Sequence, residues 1–379
     1  MNVVRALPRP ERPTLDHAQR ARLTSELQEL SGAAVTTSGD DRWPTAFGAE
    51  RLLFGSQFLC LPGLLPGRHV TVRLEGINGV GSIKGRAAYA MVRSLEITGM
   101  LRPGGHVVES SSGNLGVALA ALCCQRGYRF TCVTDPNTSS HVTDLIEAYG
   151  STVVQVHERD ENGGYLATRL RTVQTVLAGD PLAVWPNQYG NEANLLAHEA
   201  TTAPEIAAGV PHLSVLAVGA GTTGTLGGCT RWFRRHRPDV AVIAIDSVGS
   251  VTFGGPPSPR RIPGLGTSSR PPIADNATPH HIHHVAEIDG VRMCHHVRDR
   301  FGVMVGGSTG SVLAGVHQLG RLWALGTTVV AIGPDMGEKY LSSVYDEGWV
   351  TRHLGGAPRP ASHRPDARPA TERPAARSA

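Results

Sequence analysis

Short apolar runs rich in β-branched residues alternate with helix-period segments over most of this chain, from residue 71 to about 346. The runs predict strands at 70–74, 106–109, 130–134, 152–156, 183–185, 214–218, 240–246, 303–305 and 328–332. The intervening segments predict helices near 84–98, 114–126, 139–149, 164–178, 192–208, 223–236, 309–323 and 338–346. Strand, loop and helix in repeated order indicate right-handed crossovers, so we expect an α/β fold with doubly wound, mostly parallel sheets.

Both ends and one internal stretch depart from this alternation. Residues 1–50 contain one predicted helix, at about 15–31, followed by a polar, linker-like stretch at 36–41. Residues 254–279 are rich in Pro, Gly and Ser and predict a long irregular loop, of a kind that often forms lids or binding loops. From Gly355 the chain is mostly Pro, Ala and Arg, and we expect this tail to be disordered.

The length and the charge distribution narrow the class of protein. A chain of 379 residues suits two packed α/β domains rather than one. The formal net charge is +4, but the segment from 353 onward holds five arginines against two acidic residues, which leaves about +1 for the rest. This balance, with aromatic residues at 5%, argues against nucleic-acid binding.

The cysteine pattern and the length of the apolar runs indicate the cellular compartment in which the protein works. The six cysteines form no CxxC pair, and the N-terminus does not resemble a signal peptide. No apolar run approaches the roughly 20 residues that a membrane helix needs. We therefore expect a reduced, cytoplasmic protein that does not bind membranes.

Lysine is unusually rare in this sequence, which contains only Lys84 and Lys339. The guanidinium of arginine has a pKa far too high for it to act as a Schiff-base amine, whereas the pKa of a lysine can be lowered for that role. Any covalent amine chemistry must therefore use one of these two positions.

Lys84 lies in the segment Gly-Ser-Ile-Lys-Gly-Arg at 81–86, directly before an Ala-rich predicted helix. The helix macrodipole disfavours a positive charge at this end, which should lower the pKa of the amine as a Schiff-base lysine requires. Taken alone, the position is equally compatible with a solvated surface lysine.

Three further segments also lie where a predicted strand ends and a helix begins. Glu-Ser-Ser-Ser-Gly-Asn-Leu-Gly at 109–116 offers hydroxyls and backbone N–H groups to a carboxylate, although an ordinary helix cap has the same composition. Gly-Ala-Gly-Thr-Thr-Gly-Thr at 219–225 can close on a phosphate, and it is not a Walker loop, because no lysine follows. Gly-Gly-Ser-Thr-Gly-Ser at 306–311 is the last of the four segments.

The order and spacing of these segments resemble the cysteine synthase-like branch of fold type II pyridoxal-phosphate enzymes, over roughly residues 70–346. The resemblance implies that Lys84, in a Ser-x-Lys segment, carries pyridoxal 5'-phosphate. It implies that Ser111, Ser112 and Asn114 bind the substrate carboxylate, with Asn114 also at the phenolic oxygen of the cofactor. Gln188 matches a family glutamine near that carboxylate.

The resemblance also implies how the rest of the cofactor is held. Ser308 matches the serine that faces the pyridine nitrogen, and Lys339 falls in a closing stretch at 334–341 with a structural role. Gly85 stands where the family usually carries a larger side chain. The residues that match the phosphate cup are Gly221, Thr222, Thr223, Gly224 and Thr225.

The implied fold is that of the tryptophan synthase β-subunit, with two doubly wound domains and the cofactor in the cleft between them. We therefore expect an N-terminal extension at 1–50 and a smaller, substrate-carboxylate-binding domain at 78–190. A larger, cofactor-binding domain would combine 51–77 with 191–352, and a disordered tail would occupy 353–379. The family is commonly dimeric, so we also expect a homodimer.

Within this branch, the segments at 163–166, 222–224, 249–254 and 263–266 are most similar to N-(2-amino-2-carboxyethyl)-L-glutamate synthases of the staphyloferrin type. Those enzymes condense O-phospho-L-serine with L-glutamate on the way to 2,3-diaminopropionate. The resemblance implies β-replacement through an aminoacrylate, with Tyr165 as a substrate-binding candidate. Arg270 is our candidate cation for the phosphate leaving group, although an exposed loop arginine would look the same. Gly221 replaces a serine of those relatives.

Two other functions are open on the sequence alone. A cysteine synthase or an O-phosphoserine sulfhydrylase would share the cofactor motifs but use sulfide as the nucleophile. A non-catalytic regulatory protein that binds the cofactor would share the fold, although the presence of Lys84, Asn114 and Ser308 argues against it. Siderophore and nonribosomal peptide antibiotic pathways both use 2,3-diaminopropionate, and the sequence does not choose between them.

A group of histidines with one cysteine suggests a metal site as an alternative. The group lacks a standard zinc spacing, so we predict no metal site and expect ordinary loop and strand histidines. Its members are His280, His281, His283, His284, Cys294, His295 and His296.

Overall fold

A computed structural model describes residues 13–32, 49–160 and 164–356 of the chain. The larger of its two sheets has six strands in the order β1-β2-β10-β7-β8-β9, and only the edge strand β1 is antiparallel to its neighbour. These strands are β1 (Gln57–Cys60), β2 (His69–Leu74), β7 (Val215–Gly219), β8 (Ala241–Ser247), β9 (His281–Val285) and β10 (Thr328–Gly333).

The second sheet has four parallel strands in the order β5-β4-β3-β6. They are β3 (His106–Ser110), β4 (Arg129–Thr134), β5 (Thr152–Gln155) and β6 (Ala183–Val184). Every residue of β3 is buried, because helices cover both faces of a parallel sheet and leave no strand face for water. The predicted α/β class with two doubly wound, mostly parallel sheets is confirmed.

Helices connect the strands and cover both sheets. The first six are α1 (His17–Gly32), α2 (Lys84–Ile97), α3 (Asn114–Arg126), α4 (Ser140–Ala148), α5 (Leu166–Gly179) and α6 (Ala193–Ala197). A π-helical turn, His198–Thr202, joins α6 to α7 (Ala203–Gly209). The remaining helices are α8 (Gly224–His236), α9 (Glu287–Phe301), α10 (Gly307–Leu319) and α11 (Glu347–Leu354).

Two predicted elements near the C-terminus are wrong. The helix predicted at 338–346 is a short 3-10 turn, Glu338–Tyr340, followed by further turns, and the strand predicted at 303–305 is reduced to one bridge between Val305 and Met336. The chain folds back here, and the Tyr345 hydroxyl accepts from Val305 N (2.9 Å) and donates to Val305 O (2.7 Å). A side chain thus takes the backbone hydrogen bonds that a second strand would make with Val305.

Two strands, β1 and β9, and two α-helices, α9 and α11, were not predicted from the sequence. The tail predicted to begin at 353 starts within α11, while residues 357–379 and the stretch at 36–41 lie outside the described residues. The histidine group is split between β9 and α9, and no set of three metal-ligating side chains comes together in the described ranges. Within the part of the chain that the structure describes, no helix is both long and apolar enough to cross a membrane.

Helix α1, predicted as part of an N-terminal extension, packs into a hydrophobic core. Its Leu23 and Leu27 are fully buried among residues of α2, α3 and α6. Ser31, at the end of the helix, hydrogen-bonds to Glu205, which also pairs with Arg86 of α2. Helix α1 therefore supports α2, the helix that begins with Lys84.

Candidate active site

A cavity of about 490 Å³ lies at the carboxyl ends of β3, β4, β7 and β10, where parallel α/β sheets place their ligands. Loops that follow these strands supply much of its wall, together with the irregular loop at 260–268. The predicted site residues that line it are Lys84, Ser111, Ser112, Asn114, Gln188, Gly221 and Thr222.

Lys84 begins α2 and reaches the cavity. Its surroundings remove water from the amine, and this burial lowers the pKa of Lys84 from 10.5 to about 8. Gly85 is closely packed, because a Cβ there would lie 3.1 Å from Leu53 O and 3.0 Å from a Val80 methyl carbon. The amine is thus easily neutralised, as a lysine that attacks a carbonyl group must be.

The segment at 111–114 forms a tight turn into α3. Ser111 Oγ accepts from Gly116 N (3.0 Å) and from Gly113 N (3.3 Å), which fixes the start of the helix beside the cavity. Asn114 Nδ2 donates to the buried Asp335 (2.7 Å), and its Oδ1 accepts from Lys339 Nζ (2.7 Å). Lys339 thereby lines the site and holds Asn114, a role that fits the structural assignment predicted for it.

Asp335 connects this turn to the segment that follows β10. Its Oδ2 also accepts from the Tyr340 hydroxyl (2.5 Å), and burial raises the pKa of the carboxyl above its usual range. Gly306 is needed here, because a Cβ at that position would lie 1.9 Å from Asp335 Oδ1. Asp335 was not among the predicted site residues, although it lies in the closing stretch at 334–341 that the family resemblance identifies.

The segment at 219–225 passes from β7 into α8 with little space around it. A Cβ at Gly221 would lie 2.8 Å from Gly264 O, so the backbone at Gly264 leaves no room for a side chain at this position. A Cβ at Gly224 would lie 2.2 Å from Asn194 Oδ1. Thr223 has a positive φ of 70°, and its buried hydroxyl has no hydrogen-bond partner among the described residues.

Asn194 links two parts of the site. Its Nδ2 donates to Gln188 O (2.9 Å) and to Thr222 Oγ1 (3.2 Å), so it joins the loop that carries Gln188 to the start of α8. The Gln188 side chain donates to Ser110 O (3.0 Å), and its backbone N–H donates to Glu109 (3.1 Å). Burial raises the pKa of Glu109 to about 7. Asn194 and Glu109 were both missed, because their contacts join distant segments.

Ser308 lies in the first turn of α10, is almost fully buried, and does not itself line the cavity. Its side chain stands against Gly264, which does line it: a Cβ at Gly264 would lie 3.3 Å from the Ser308 hydroxyl. Thr223, Gly224 and Thr225 likewise lie just behind the lining residues Gly221 and Thr222.

Two predicted substrate contacts lie elsewhere. Arg270 Nη1 donates to Thr252 O (2.7 Å), its Nη2 donates to Asp275 (2.6 Å), and it does not line the cavity. Tyr165 stacks on Arg159 at 4.8 Å and packs on a separate hydrophobic cluster. A loop arginine can turn in any direction, and a spacing match gives no orientation, so the sequence could not exclude either residue.

Other arginines line the cavity instead, namely Arg169, Arg260 and Arg261. Arg169 is 8% exposed, lies 3.4 Å from Asp135, and has a buried Nε without a hydrogen-bond partner in the described ranges. Arg260 is half-buried, donates to Gly249 O, and has its pKa lowered by burial. The cavity therefore combines an amine that is easily neutralised with two desolvated cations.

A second cavity, of about 350 Å³, lies between α1 and α8. Its arginines are paired with Glu192 and Glu199, and it contains no predicted site residue. We assign no chemistry to it.

The residues of the larger cavity fit pyridoxal phosphate. Lys84 supplies an amine with a lowered pKa, and the N-terminus of α8, with the unpartnered hydroxyl of Thr223, supplies donors for a phosphate. Glycine at 221 and 224 lets this segment pack closely against Gly264 and Asn194 at the start of α8. These residues therefore fit the aldehyde and the phosphate of the cofactor.

Comparisons with known proteins agree with this fit. A family model described as pyridoxal-phosphate dependent enzyme matches residues 55–335. The N-(2-amino-2-carboxyethyl)-L-glutamate synthase of Ralstonia nicotianae is 39% identical over 315 residues, or 81% of this chain and 93% of the relative. The protein of the same name from Cupriavidus metallidurans is 37% identical over 287 residues, or 75% and 84%. The crystal structure of O-ureido-L-serine synthase is similar with a TM-score of 0.74 and 30% identity, covering 83% of this chain and 100% of that one.

These matches confirm the predicted two-domain fold type II architecture, the pyridoxal-phosphate cofactor and an enzyme of the β-replacement synthase type. The non-catalytic alternative is therefore set aside. The chain belongs to the family of pyridoxal-phosphate dependent enzymes.

Proposed function

We propose that this enzyme joins O-phospho-L-serine to L-glutamate by β-replacement, giving N-(2-amino-2-carboxyethyl)-L-glutamate for 2,3-diaminopropionate synthesis. The observation that carries the proposal is the pair of desolvated arginines, Arg169 and Arg260, on the same cavity as Lys84. Both substrates carry several negative charges, which guanidinium groups on the cavity wall can bind. The names of the two relatives support the same product.

The donor would be held at its carboxylate and at its phosphate. We assign the carboxylate to the hydroxyls and amides of Ser111, Ser112, Asn114 and Gln188, as the family resemblance implies. We assign the phosphate to Arg260, in place of Arg270. The Arg260 guanidinium donates to one backbone carbonyl, Gly249 O, and so keeps donors for a further anion.

The acceptor would be held by Arg169 together with Asp135. The two side chains are 3.4 Å apart, and Asn137 N also donates to Asp135 (2.9 Å). A pair of opposite charges matches an amino acid, which presents both a carboxylate and an ammonium group. Asp135 would also accept the proton that the acceptor amine loses before it can act as a nucleophile.

Bound pyridoxal phosphate supplies the electron withdrawal that allows the β-substituent to leave. Lys84 would remove the proton from Cα before the β-substituent leaves, because an amine with a pKa of about 8 is partly neutral near physiological pH. Ser308, the residue that the family resemblance assigns to the pyridine nitrogen, is neutral and would not keep that nitrogen protonated as a carboxylate would, which would favour prompt elimination over transamination.

Sulfide is the main alternative nucleophile. It needs no cation and no carboxylate site, so a sulfhydrylase would leave the Arg169–Asp135 pair without a ligand. Purified enzyme should therefore be given O-phospho-L-serine with equimolar L-glutamate and sulfide, and the products identified by mass spectrometry. The proposal predicts N-(2-amino-2-carboxyethyl)-L-glutamate as the main product, whereas cysteine as the main product would contradict it.

We also propose that the enzyme is a cytoplasmic homodimer. All six cysteines are free in the structure, which suits a reducing compartment, and related enzymes are commonly dimeric. Light scattering on the purified protein would test the dimer, and a monomeric mass in the active preparation would contradict it.

A further inference from the structure

His198 is buried behind the start of α8 and is not part of the predicted site. It opens the π-helical turn between α6 and α7 and is 1% exposed. Its Nδ1 lies 2.9 Å from the Thr202 hydroxyl, and its Nε2 lies 3.2 Å from the Thr225 hydroxyl. Both ring nitrogens are therefore occupied by threonines, one of which belongs to the predicted phosphate cup.

The π-helical turn and the glycines of α8 place the ring there. Pro204 has no backbone N–H and interrupts the regular helical hydrogen bonds just after the turn. Gly228 lets α8 approach closely, because a Cβ there would lie 2.4 Å from Leu195 O and 2.8 Å from the Cβ of His198. The position of His198 is fixed from both sides.

The ring of His198 is neutral. Burial, reinforced by the positive charges of Lys84, Arg86 and Arg73, holds its pKa well below the usual range. A neutral imidazole carries a single N–H, so one nitrogen donates and the other accepts. The tautomer therefore controls the direction in which the neighbouring hydroxyls donate.

We propose that His198 is a positioning residue for cofactor binding, which acts by keeping its proton on Nε2. Thr202 then donates to Nδ1, Nε2–H donates to the Thr225 oxygen, and the Thr225 hydrogen points to the cofactor phosphate. With the proton on Nδ1, Thr225 would donate to the ring and turn only lone pairs toward the phosphate. Thr202 controls this choice, because its buried hydroxyl has no other hydrogen bond among the described residues.

Thr202→Val removes the donor to Nδ1 with little change in shape, and Thr201→Val is the matched control. Both threonines are fully buried in the same turn. The Thr201 hydroxyl, however, donates to Ala197 O and makes no hydrogen bond to His198 or Thr225. The histidine ring nitrogens can be observed by ¹⁵N NMR in protein labelled at histidine. Signals that are lost in His198→Gln, or that move alone in Thr202→Val, belong to His198.

We expect a protonated Nε2 and an unprotonated Nδ1 in the wild type, both before and after pyridoxal phosphate is added. Thr202→Val should lose this preference and bind the cofactor roughly ten- to a hundredfold more weakly, since one hydrogen bond to a charged group is lost. Thr201→Val should retain both the tautomer and the affinity. A wild-type proton on Nδ1, or equal cofactor affinity in the two variants, would overturn the inference. Neither measurement involves a substrate, so the result is independent of the proposed reaction.

Discussion

At the scale of single residues, Lys84 shows how burial prepares chemistry. An exposed amine is almost fully protonated near neutral pH and cannot attack a carbonyl group. Within this fold the pKa of Lys84 falls to about 8, because its surroundings exclude water and provide no anion to compensate. The same burial must weaken the folded protein while the cofactor is absent.

This cost gives a pH-dependent prediction for Lys84→Met. In the cofactor-free wild type the pKa of Lys84 is about 8 in the folded protein and 10.5 in the unfolded chain. The loss of stability caused by the buried ammonium is therefore complete below pH 8, and it disappears as the pH rises to 10.5. Near neutral pH the variant should be more stable by up to about 3 kcal/mol, and the difference should shrink over that interval. Urea unfolding of both cofactor-free proteins across this pH range measures it.

Lys339→Met is the control for that experiment. Burial lowers the pKa of Lys339 as well, but its ammonium donates to Gly81 O (2.9 Å) and to Asn114 Oδ1 (2.7 Å), so its removal should give a smaller gain in stability than removal of Lys84. An equal gain from both substitutions would show that the loss of any lysine is stabilising, and would contradict the account of Lys84.

Arg260 and Arg270 make a second prediction at this scale. Arg260→Gln should weaken binding of O-phospho-L-serine roughly tenfold or more, because a charged hydrogen bond to the phosphate is lost. Binding of L-serine, which has no phosphate, should not change. Titration of the cofactor absorbance with each ligand measures both affinities. Arg270→Gln should change neither, and the assignment of Arg260 is wrong if Arg270→Gln has the larger effect on O-phospho-L-serine.

Single residues divide into those that the sequence could predict and those that it could not. Lys84, Asn114 and Gly221 lie in short segments whose spacing is set by a strand-to-helix turn, and all three line the cavity. Asn194, Arg169 and Arg260 reach the site through contacts between distant parts of the chain. A single sequence contains the residues of such contacts but not their distances.

At the scale of elements, α8 is packed unusually closely against the segment 193–202. Gly227 and Gly228 both face that segment, but they meet different atoms. A Cβ at Gly228 would lie 2.4 Å from Leu195 O and 2.7 Å from Glu199 N, which are backbone atoms. A Cβ at Gly227 would be crowded by the Leu195 side chain alone, whose nearest atom would lie 2.8 Å away. Side chains can move aside, whereas the backbone of a packed helix cannot.

Gly228→Ala should therefore destabilise the protein by roughly 1–3 kcal/mol or more, as overpacking does, and Gly227→Ala by clearly less. Thermal or urea unfolding of the two variants measures the difference. A smaller effect at Gly228 than at Gly227 would contradict the close approach of α8 to the turn that holds His198.

Elements were predictable where apolar periodicity was strong. The strands of the parallel core, such as β3 and β7, match the predictions within one residue at each end. Helix α9 was missed because its polar, histidine-rich sequence shows no clear spacing of apolar residues at the helical period. The acidic residues in its first turn and the basic residues in its last turn are nevertheless typical of a helix. Edge strands β1 and β9 are short and largely exposed, so they lack a continuous apolar run.

At the scale of the whole molecule, a buried charge cluster joins α1, β2, α2 and α7. Glu75 of the segment after β2 accepts from Arg73 (2.5 Å) and from Arg86 (3.0 Å), and Glu205 of α7 also binds Arg86 (2.8 Å). Arg86 is two residues from Lys84. The position of Lys84 thus depends on elements on the far side of the core, including α1, which the sequence suggested was peripheral.

Leu27→Ala tests whether α1 belongs to the folded core. Leu27 is fully buried, with 0% of its surface accessible to water. Its truncation should therefore lower the free energy of unfolding by about 2–5 kcal/mol. Leu30→Ala, in the same helix but only partly buried, should cost less. Urea unfolding compares them, and a negligible effect of Leu27→Ala would show that α1 is dispensable.

We propose that Lys84 carries pyridoxal phosphate in an enzyme that takes O-phospho-L-serine as donor and L-glutamate as acceptor. The visible spectrum of the purified enzyme, recorded during stepwise addition of the two substrates with Lys84→Ala alongside, tests both parts of this proposal. We expect that O-phospho-L-serine changes the wild-type cofactor spectrum, that L-glutamate restores it, and that Lys84→Ala lacks the starting spectrum. A changed spectrum that ignores L-glutamate and is restored by sulfide would contradict the proposed reaction, and a wild type without any cofactor absorbance after addition of pyridoxal phosphate would contradict the site itself.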